Sequence, residues 1–213
     1  QAQAIIGSSI GGFQALEMAL ERPSFARKLI LIATAAKAQP WAIAADEAQR
    51  MALEADGTYG QHTPEAGRKG IEAARAIGLL TYRGSAAYNA TQQEHDNPDK
   101  TYGFRACSYQ RHQGLKLSRR FDLYSYLRIT EAFDSHNVGR GRGGVEQALQ
   151  SIQAQTLVVG ITSDIILPVT EQVILWKNIP DSRMELIVSE FGHDGFLVEH
   201  AKLDALLRPF VEC

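Results

Sequence analysis

The spacing of apolar residues changes character along the chain. Ala4-Ile5-Ile6 is a short apolar run, and Gly7-Ser8-Ser9-Ile10-Gly11-Gly12 after it is too rich in glycine to continue as strand or helix. From Phe13 to Leu20 apolar residues recur at spacings of three and four, which predicts a helix that Pro23 ends. Lys28-Leu29-Ile30-Leu31-Ile32-Ala33 then predicts a strand. It is continuous in apolar residues, like a parallel strand covered on both faces.

Between about Thr34 and Gly144 no run has comparable strand character. Ala44 to Ala55 is Ala-rich and reads as helix. Gly70 to Tyr82 reads as helix with Ile71, Ala74 and Gly78 on one stripe, and Phe121 to Phe133 as helix with Tyr126, Ile129 and Phe133 at helical spacing. Tyr88 to Phe104 is polar and predicts a loop. Strand–helix alternation then returns. Val145, Ala148, Leu149 and Ile152 form an i, i+3, i+4, i+7 stripe, and Thr156 to Val159 predicts a strand. Pro168 to Asn178 predicts a helix with Pro168 near its first turn, and Met184 to Val188 a further strand. Phe196, Leu203, Leu206, Leu207 and Phe210 place one apolar face on a final helix. The expected organisation is an α/β core from residues 1–34 and 145–213, interrupted by a helical cap over residues 35–144.

Composition narrows the class. The chain has 213 residues, enough for one or two domains with a sizeable core. Its 45% apolar and 22% charged residues exclude disordered and collagen-like chains. A net charge of -2 argues against a dedicated nucleic-acid binder, so the Gly139-Arg140-Gly141-Arg142 run is expected to be structural or a cap hinge. Two cysteines, Cys107 and Cys213, cannot build a disulfide scaffold, which points to a reducing cytoplasm. No apolar run approaches the roughly 20 residues of a membrane helix, and no basic segment precedes an apolar one as in a signal peptide. No membrane partner and no metal are expected. Gln1 in place of an initiator Met suggests a chain that starts inside a longer protein.

Gly7-Ser8-Ser9-Ile10-Gly11 matches G-x-S-x-G, placed between an apolar strand and a helix as a nucleophile elbow requires. The glycines are expected to relieve crowding at the sharp turn, and the N–H of Ile10 to donate to an oxyanion. A plain glycine-rich turn, or a phosphate-binding one, remains the alternative. A serine needs a base, and in this arrangement the acid and the histidine follow it in that order, each past a strand end. Asp164 and His193 fill those two places. Asp134 and His136 form a rival pair but have no strand before them.

The segment Gly-Ser-Ser-Ile-Gly-Gly-Phe-Gln-Ala-Leu-Glu from Gly7 resembles the nucleophile region of the homoserine O-acetyltransferases, which have the α/β-hydrolase fold. The resemblance continues through Leu31 to Ala36, Ile77 to Arg83, Tyr109 to Gly114, Arg120 to Asp122, Asp134 to Gly143, Val159 to Asp164 and Gly192 to Glu199. It implies a mainly parallel sheet with a helical cap, and a triad of Ser9, Asp164 and His193. It also implies that Arg75 and Tyr82 bind homoserine and that Asp194 contacts the substrate amine. From the residues alone, Arg75 reads better as a solvated helix arginine and Asp194 as a loop or capping acid.

The activity so implied is transfer of an acetyl group from acetyl-CoA to L-homoserine through a Ser9 acyl-enzyme, within methionine biosynthesis. Acetyl-CoA is then a co-substrate, and no permanently bound cofactor is expected. The implied assembly is a homodimer formed through the cap, in the cytoplasm. Succinyl-CoA as donor, serine as acceptor, a hydrolase using the same triad, and an inactive fragment with a structural role are the alternatives. Two departures stand out: position 8 is serine where the family often has glycine, and the family starts more than a hundred residues before its nucleophile. The reading that follows is the C-terminal part of such an enzyme, prone to aggregate and weak in turnover without the rest.

Overall fold

The computed structural model describes residues 1–95 and 99–212. In chain order its elements are β1 (Ala2–Ser8), α1 (Ile10–Glu21), β2 (Ala26–Ile32), α2 (Pro40–Glu54), α3 (Arg68–Tyr82), α4 (Ser85–Gln92), α5 (Arg105–Ser118) and α6 (Leu123–Asp134). There follow α7 (Val145–Gln150), β3 (Gln155–Ile161), α8 (Val169–Asn178), β4 (Ser182–Ile187), a 3-10 turn (Gly192–Asp194), α9 (Gly195–Val198) and α10 (His200–Glu212). They form two compact units: Gln1–Ala38 with the chain from Ser135 onward, and Gln39–Asp134.

The first unit is built on a parallel sheet in the order β1-β2-β3-β4. The register sets Ile5 beside Leu29, Ile30 beside Leu157 and Val159 beside Glu185. Successive side chains of a strand point to opposite faces. Leu29 and Leu31 of β2, with Val158 of β3, therefore meet Leu16 and Ala19 of α1, Leu149 of α7 and Leu175 of α8. Ile30 and Ile32, with Leu157, Val159 and Ile161, meet Phe210 and the flanking leucines of α10 on the other side. This two-sided burial is the reason β2 is apolar from Leu29 to Ile32 and β3 from Leu157 to Val159. Among the described strands β1 and β4 have one neighbour each, and they leave Ile6 56% and Leu186 50% exposed.

The second unit is helical. Leu53 of α2, Ile71 and Ala74 of α3, and Leu123 and Tyr126 of α6 form its buried centre. Ile71 and Ala74, with the buried Gly78, are the stripe expected for α3. The segment expected as a loop from Tyr88 to Phe104 is helical as far as Gln92, and its residues 96–98, like Cys213, lie outside the described residues. The helix α4 buries no residue, so it has no apolar stripe to betray it, and Ala86, Ala87 and Ala90 favour it by propensity alone.

Two further expectations shift. The cap was expected over residues 35–144, whereas the helical unit covers 39–134. Residues on either side of it pair with each other: Lys37 bridges Asn137 antiparallel, and the N–H groups of Ala38 and Val138 donate to the carbonyls of His136 and Ala36. Ala36 and Val138 are buried in the sheet's core. The single final helix is divided, with Phe196 on the one-turn α9 and the other apolar residues on α10, although all pack on one sheet face.

Candidate active site

One residue, Ser9, joins β1 to α1. Its backbone has φ 52° and ψ -126°, a strained conformation for any residue with a Cβ. The turn is closed from both sides. The Ser9 N–H donates to the carbonyl of Ile32 at 3.0 Å, and its carbonyl accepts from the N–H of Gly12 at 2.9 Å. A Cβ at Gly7 would stand 2.3 Å from the carbonyl oxygen of Gly11, and one at Gly12 would stand 2.4 Å from the side chain of Thr34. Gly11 itself has open space, so the crowding expected at the second motif glycine falls on Gly12 instead. Ile10 opens α1, and its N–H is one of the first-turn donors that no intrahelical carbonyl can reach.

Asp164 lies three residues past β3, with a wholly buried side chain. Its Oδ1 accepts from the N–H groups of Ile166 and Leu167, each at 2.9 Å. Its Oδ2 faces His193 Nδ1 at 2.6 Å. His193 is buried in the 3-10 turn after β4. That turn is tied to the acid's loop by the Gly192 N–H, which donates to Ser163 Oγ at 2.9 Å. The edge of Phe196 packs against the imidazole at a centroid distance of 5.3 Å. On the other side of the ring, Nε2 stands 2.8 Å from Ser9 Oγ. A carboxylate only accepts, so Nδ1 carries the proton and Nε2 offers a lone pair to the serine hydroxyl. Serine, imidazole and carboxylate are thus in line, with the serine poised to lose its proton as it attacks an acyl carbon.

The rival pair does not form such a line. Asp134 accepts from Arg50 Nη2 at 2.6 Å within the helical unit. His136 belongs to the sheet unit, donates through Nε2 to the carbonyl of Ala35 at 3.1 Å, and stacks flat on Phe13. Burial lowers its pKa below the ordinary histidine value.

The expected substrate residues fall in both units. Arg75 and Tyr82 share a face of α3, with the guanidinium carbon 5.7 Å from the ring centroid. Asp194 follows His193 in the same 3-10 turn and is half-buried. A buried polar group in the helical unit is not among the residues expected for the site. There Tyr126 donates to Gln49 Oε1, and Gln49 Nε2 donates to Asp46 Oδ1 at 2.8 Å. Burial, reinforced by the charge of Asp134, pushes the Asp46 carboxyl up to about 7. Polar residues at two core-facing positions of α2, Asp46 and Gln49, were the available signal.

Strand order, elbow serine and the loops carrying acid and histidine are those of the α/β hydrolase class. The family described as "alpha/beta hydrolase fold" matches residues 1–200, and the chain belongs to it. Within it, the chain is 42% identical over 206 residues to a protein of Cyclobacterium marinum named homoserine O-acetyltransferase, a match covering 97% of this chain and 58% of that one. The chain spans about three-fifths of the length of the curated relatives it matches. The structure of homoserine O-acetyltransferase from Staphylococcus aureus is similar at a TM-score of 0.81 and 29% identity, over 99% of this chain and 59% of that one. Esterase E22 superposes with a TM-score of 0.88 at 20% identity, over 98% of this chain and 61% of that one, a likeness of fold alone.

Proposed function

We propose that the protein is an acyltransferase that carries an acetyl group from acetyl-CoA to the hydroxyl of L-homoserine. The observation that carries the reading is His193, held at 2.6 Å from Asp164 and 2.8 Å from Ser9. The names of its relatives supply the substrates.

In the first half-reaction Ser9 Oγ attacks the thioester carbonyl while His193 Nε2 takes the hydroxyl proton. Asp164 stabilises the imidazolium so formed. The tetrahedral oxyanion accepts a hydrogen bond from the N–H of Ile10. The carbon–sulfur bond breaks, His193 returns the proton to the departing thiolate, and Ser9 is left as an acetyl ester. In the second half-reaction His193 takes the proton of the homoserine hydroxyl, whose oxygen attacks the ester carbonyl. O-Acetylhomoserine leaves, and the proton returns to Ser9.

Homoserine is a zwitterion, so its carboxylate suits the Arg75 guanidinium with the Tyr82 hydroxyl, and its ammonium suits the Asp194 carboxylate. Acetyl-CoA enters as co-substrate, and the chemistry needs no permanently bound cofactor. The product would serve methionine synthesis in the cytoplasm. A homodimer through the helical unit belongs to the same reading, and Trp41, Met51 and Leu80 of that unit are each more than half exposed. Intact-mass analysis after mixing with acetyl-CoA, and in a parallel sample with succinyl-CoA, tests the reading. An acetyl adduct on Ser9 that homoserine discharges is the expected result. Absence of the adduct, or its discharge by water at a rate homoserine does not change, would sink it; a succinyl adduct alone would reassign the donor.

A further inference from the structure

Gln172, on α8, is wholly buried, and its side chain spans the loop after β2 and the loop that carries Asp164. Its Nε2 donates to the carbonyl of Thr34 at 2.7 Å and to the carbonyl of Leu167 at 3.2 Å. Both partners only accept, so they fix which way the amide faces. Thr34 is also wholly buried, and its Oγ1 donates to the carbonyl of Ser9 at 2.8 Å. Leu167 donates its N–H to Asp164 Oδ1. A single amide therefore connects the backbone of Ser9, through Thr34, with the carboxylate of Asp164, through Leu167.

We propose that Gln172 and Thr34 are positioning residues that set where Ser9 stands relative to the Asp164–His193 pair. The proposal rests on the reading of Ser9 as nucleophile. A backbone at φ 52° and ψ -126° persists only where its surroundings over-determine it, and the Thr34 hydroxyl is a restraint from outside the serine's own helix. The missing Cβ of Gly12 is what admits the Thr34 side chain to that place. Gln172 Oε1 is buried without a hydrogen-bond partner. An apolar side chain of similar volume would avoid that penalty, so what glutamine supplies here is its pair of N–H donors. The Ser9–His193 hydrogen bond depends on this restraint, because a displacement of about 1 Å at a reacting group lowers rate by about 10²-fold.

The test is the second-order rate at which a fluorophosphonate probe labels Ser9, per folded molecule, with thermal melting measured in parallel. Gln172→Met and Thr34→Val are expected to slow labelling by about 10- to 100-fold. Thr34→Ser, which keeps the hydroxyl, is expected to restore a rate close to that of the parent chain. Should Gln172→Met fail to fold, Gln172→Glu reads the same feature: its rate relative to the parent is expected to rise as pH falls, because only the protonated acid donates. Rates equal to the parent's in these variants, with melting alone lowered, would reduce the pair to core packing and overturn the proposal. No labelling of Ser9 in the parent chain would overturn the nucleophile reading itself and this inference with it.

Discussion

His193 donates its Nδ1 proton to Asp164 Oδ2 at 2.6 Å, and that carboxylate has no contact with solvent. Its other oxygen is already filled by two backbone N–H groups, so the acid cannot turn away. Asp164→Asn would present an amide N–H to the ring or leave it unbonded, favouring the tautomer with its proton on Nε2. That nitrogen could then no longer take the Ser9 proton. Turnover is expected to fall by about 10⁴-fold with the fold intact. Steady-state kinetics beside a circular dichroism spectrum check this, and a loss under tenfold would contradict the assigned role.

Arg75→Ala separates the two half-reactions. Loss of a hydrogen bond to a charged group is worth about 1.5–3 kcal/mol, or roughly 10- to 150-fold in use of homoserine. Acetylation of Ser9 in a single-turnover experiment without acceptor is expected to proceed at the parent rate. Abolished acetylation would place Arg75 in the donor site or in the folding of α3 instead.

Histidine 136 lies flat against Phe13, with ring centroids 3.8 Å apart and planes 10° apart. Its burial holds the pKa below the ordinary value of 6.5. The unfolded chain therefore binds a proton more readily than the folded one below that pH. The stability due to neutral His136 is complete above about 6.5 and is lost as pH falls from there toward the depressed folded value. His136→Phe keeps a ring against Phe13 and removes the titration. It is expected to flatten the acid limb of a curve of unfolding free energy against pH while lowering its plateau by about 1–3 kcal/mol, since the carbonyl of Ala35 loses its donor. An unchanged acid limb would assign that limb to other groups.

Asp46 has the opposite sign. Its carboxyl is raised from 3.8 to about 7, chiefly by burial, so the folded helical unit holds a proton there that the unfolded chain gives up. Stability is greatest below about 4 and declines as pH rises to about 7, where the loss is complete. Asp46→Asn keeps an acceptor for Gln49 and cannot ionise. It is expected to stabilise the chain at neutral pH, by an amount on the order of a few kcal/mol, and to remove the slope between those limits. Urea denaturation at pH 5 and pH 8 checks this; a variant less stable than the parent at pH 8 would mean that the ionised carboxylate is favourable where it lies.

Most of the site was legible because its parts are local patterns. A strand, a glycine-rich joint and a helix can be seen in Ala4 to Leu20, and acid and histidine each announce themselves one short loop beyond an apolar run. The alternation of faces in β2 likewise follows from period-two geometry. Misplaced features were those with no period of their own: α4, which buries no residue, and the Lys37–Asn137 bridge that carries the sheet unit past residue 34.

The sequence by itself determined the α/β alternation, the interruption by helices and the chain order of Ser9, Asp164 and His193. Folding decided which atoms meet across long stretches of chain. Gln172 reaches Thr34 over 138 positions, and His193 reaches Ser9 over 184. Crowding, too, was settled only there: Gly12 is required by the Thr34 side chain, whereas Gly11, named by the motif, faces open space. The physical reason is that periodicity reports which face of an element is buried, while steric contact and hydrogen-bond partnership depend on what the neighbouring elements bring to that face.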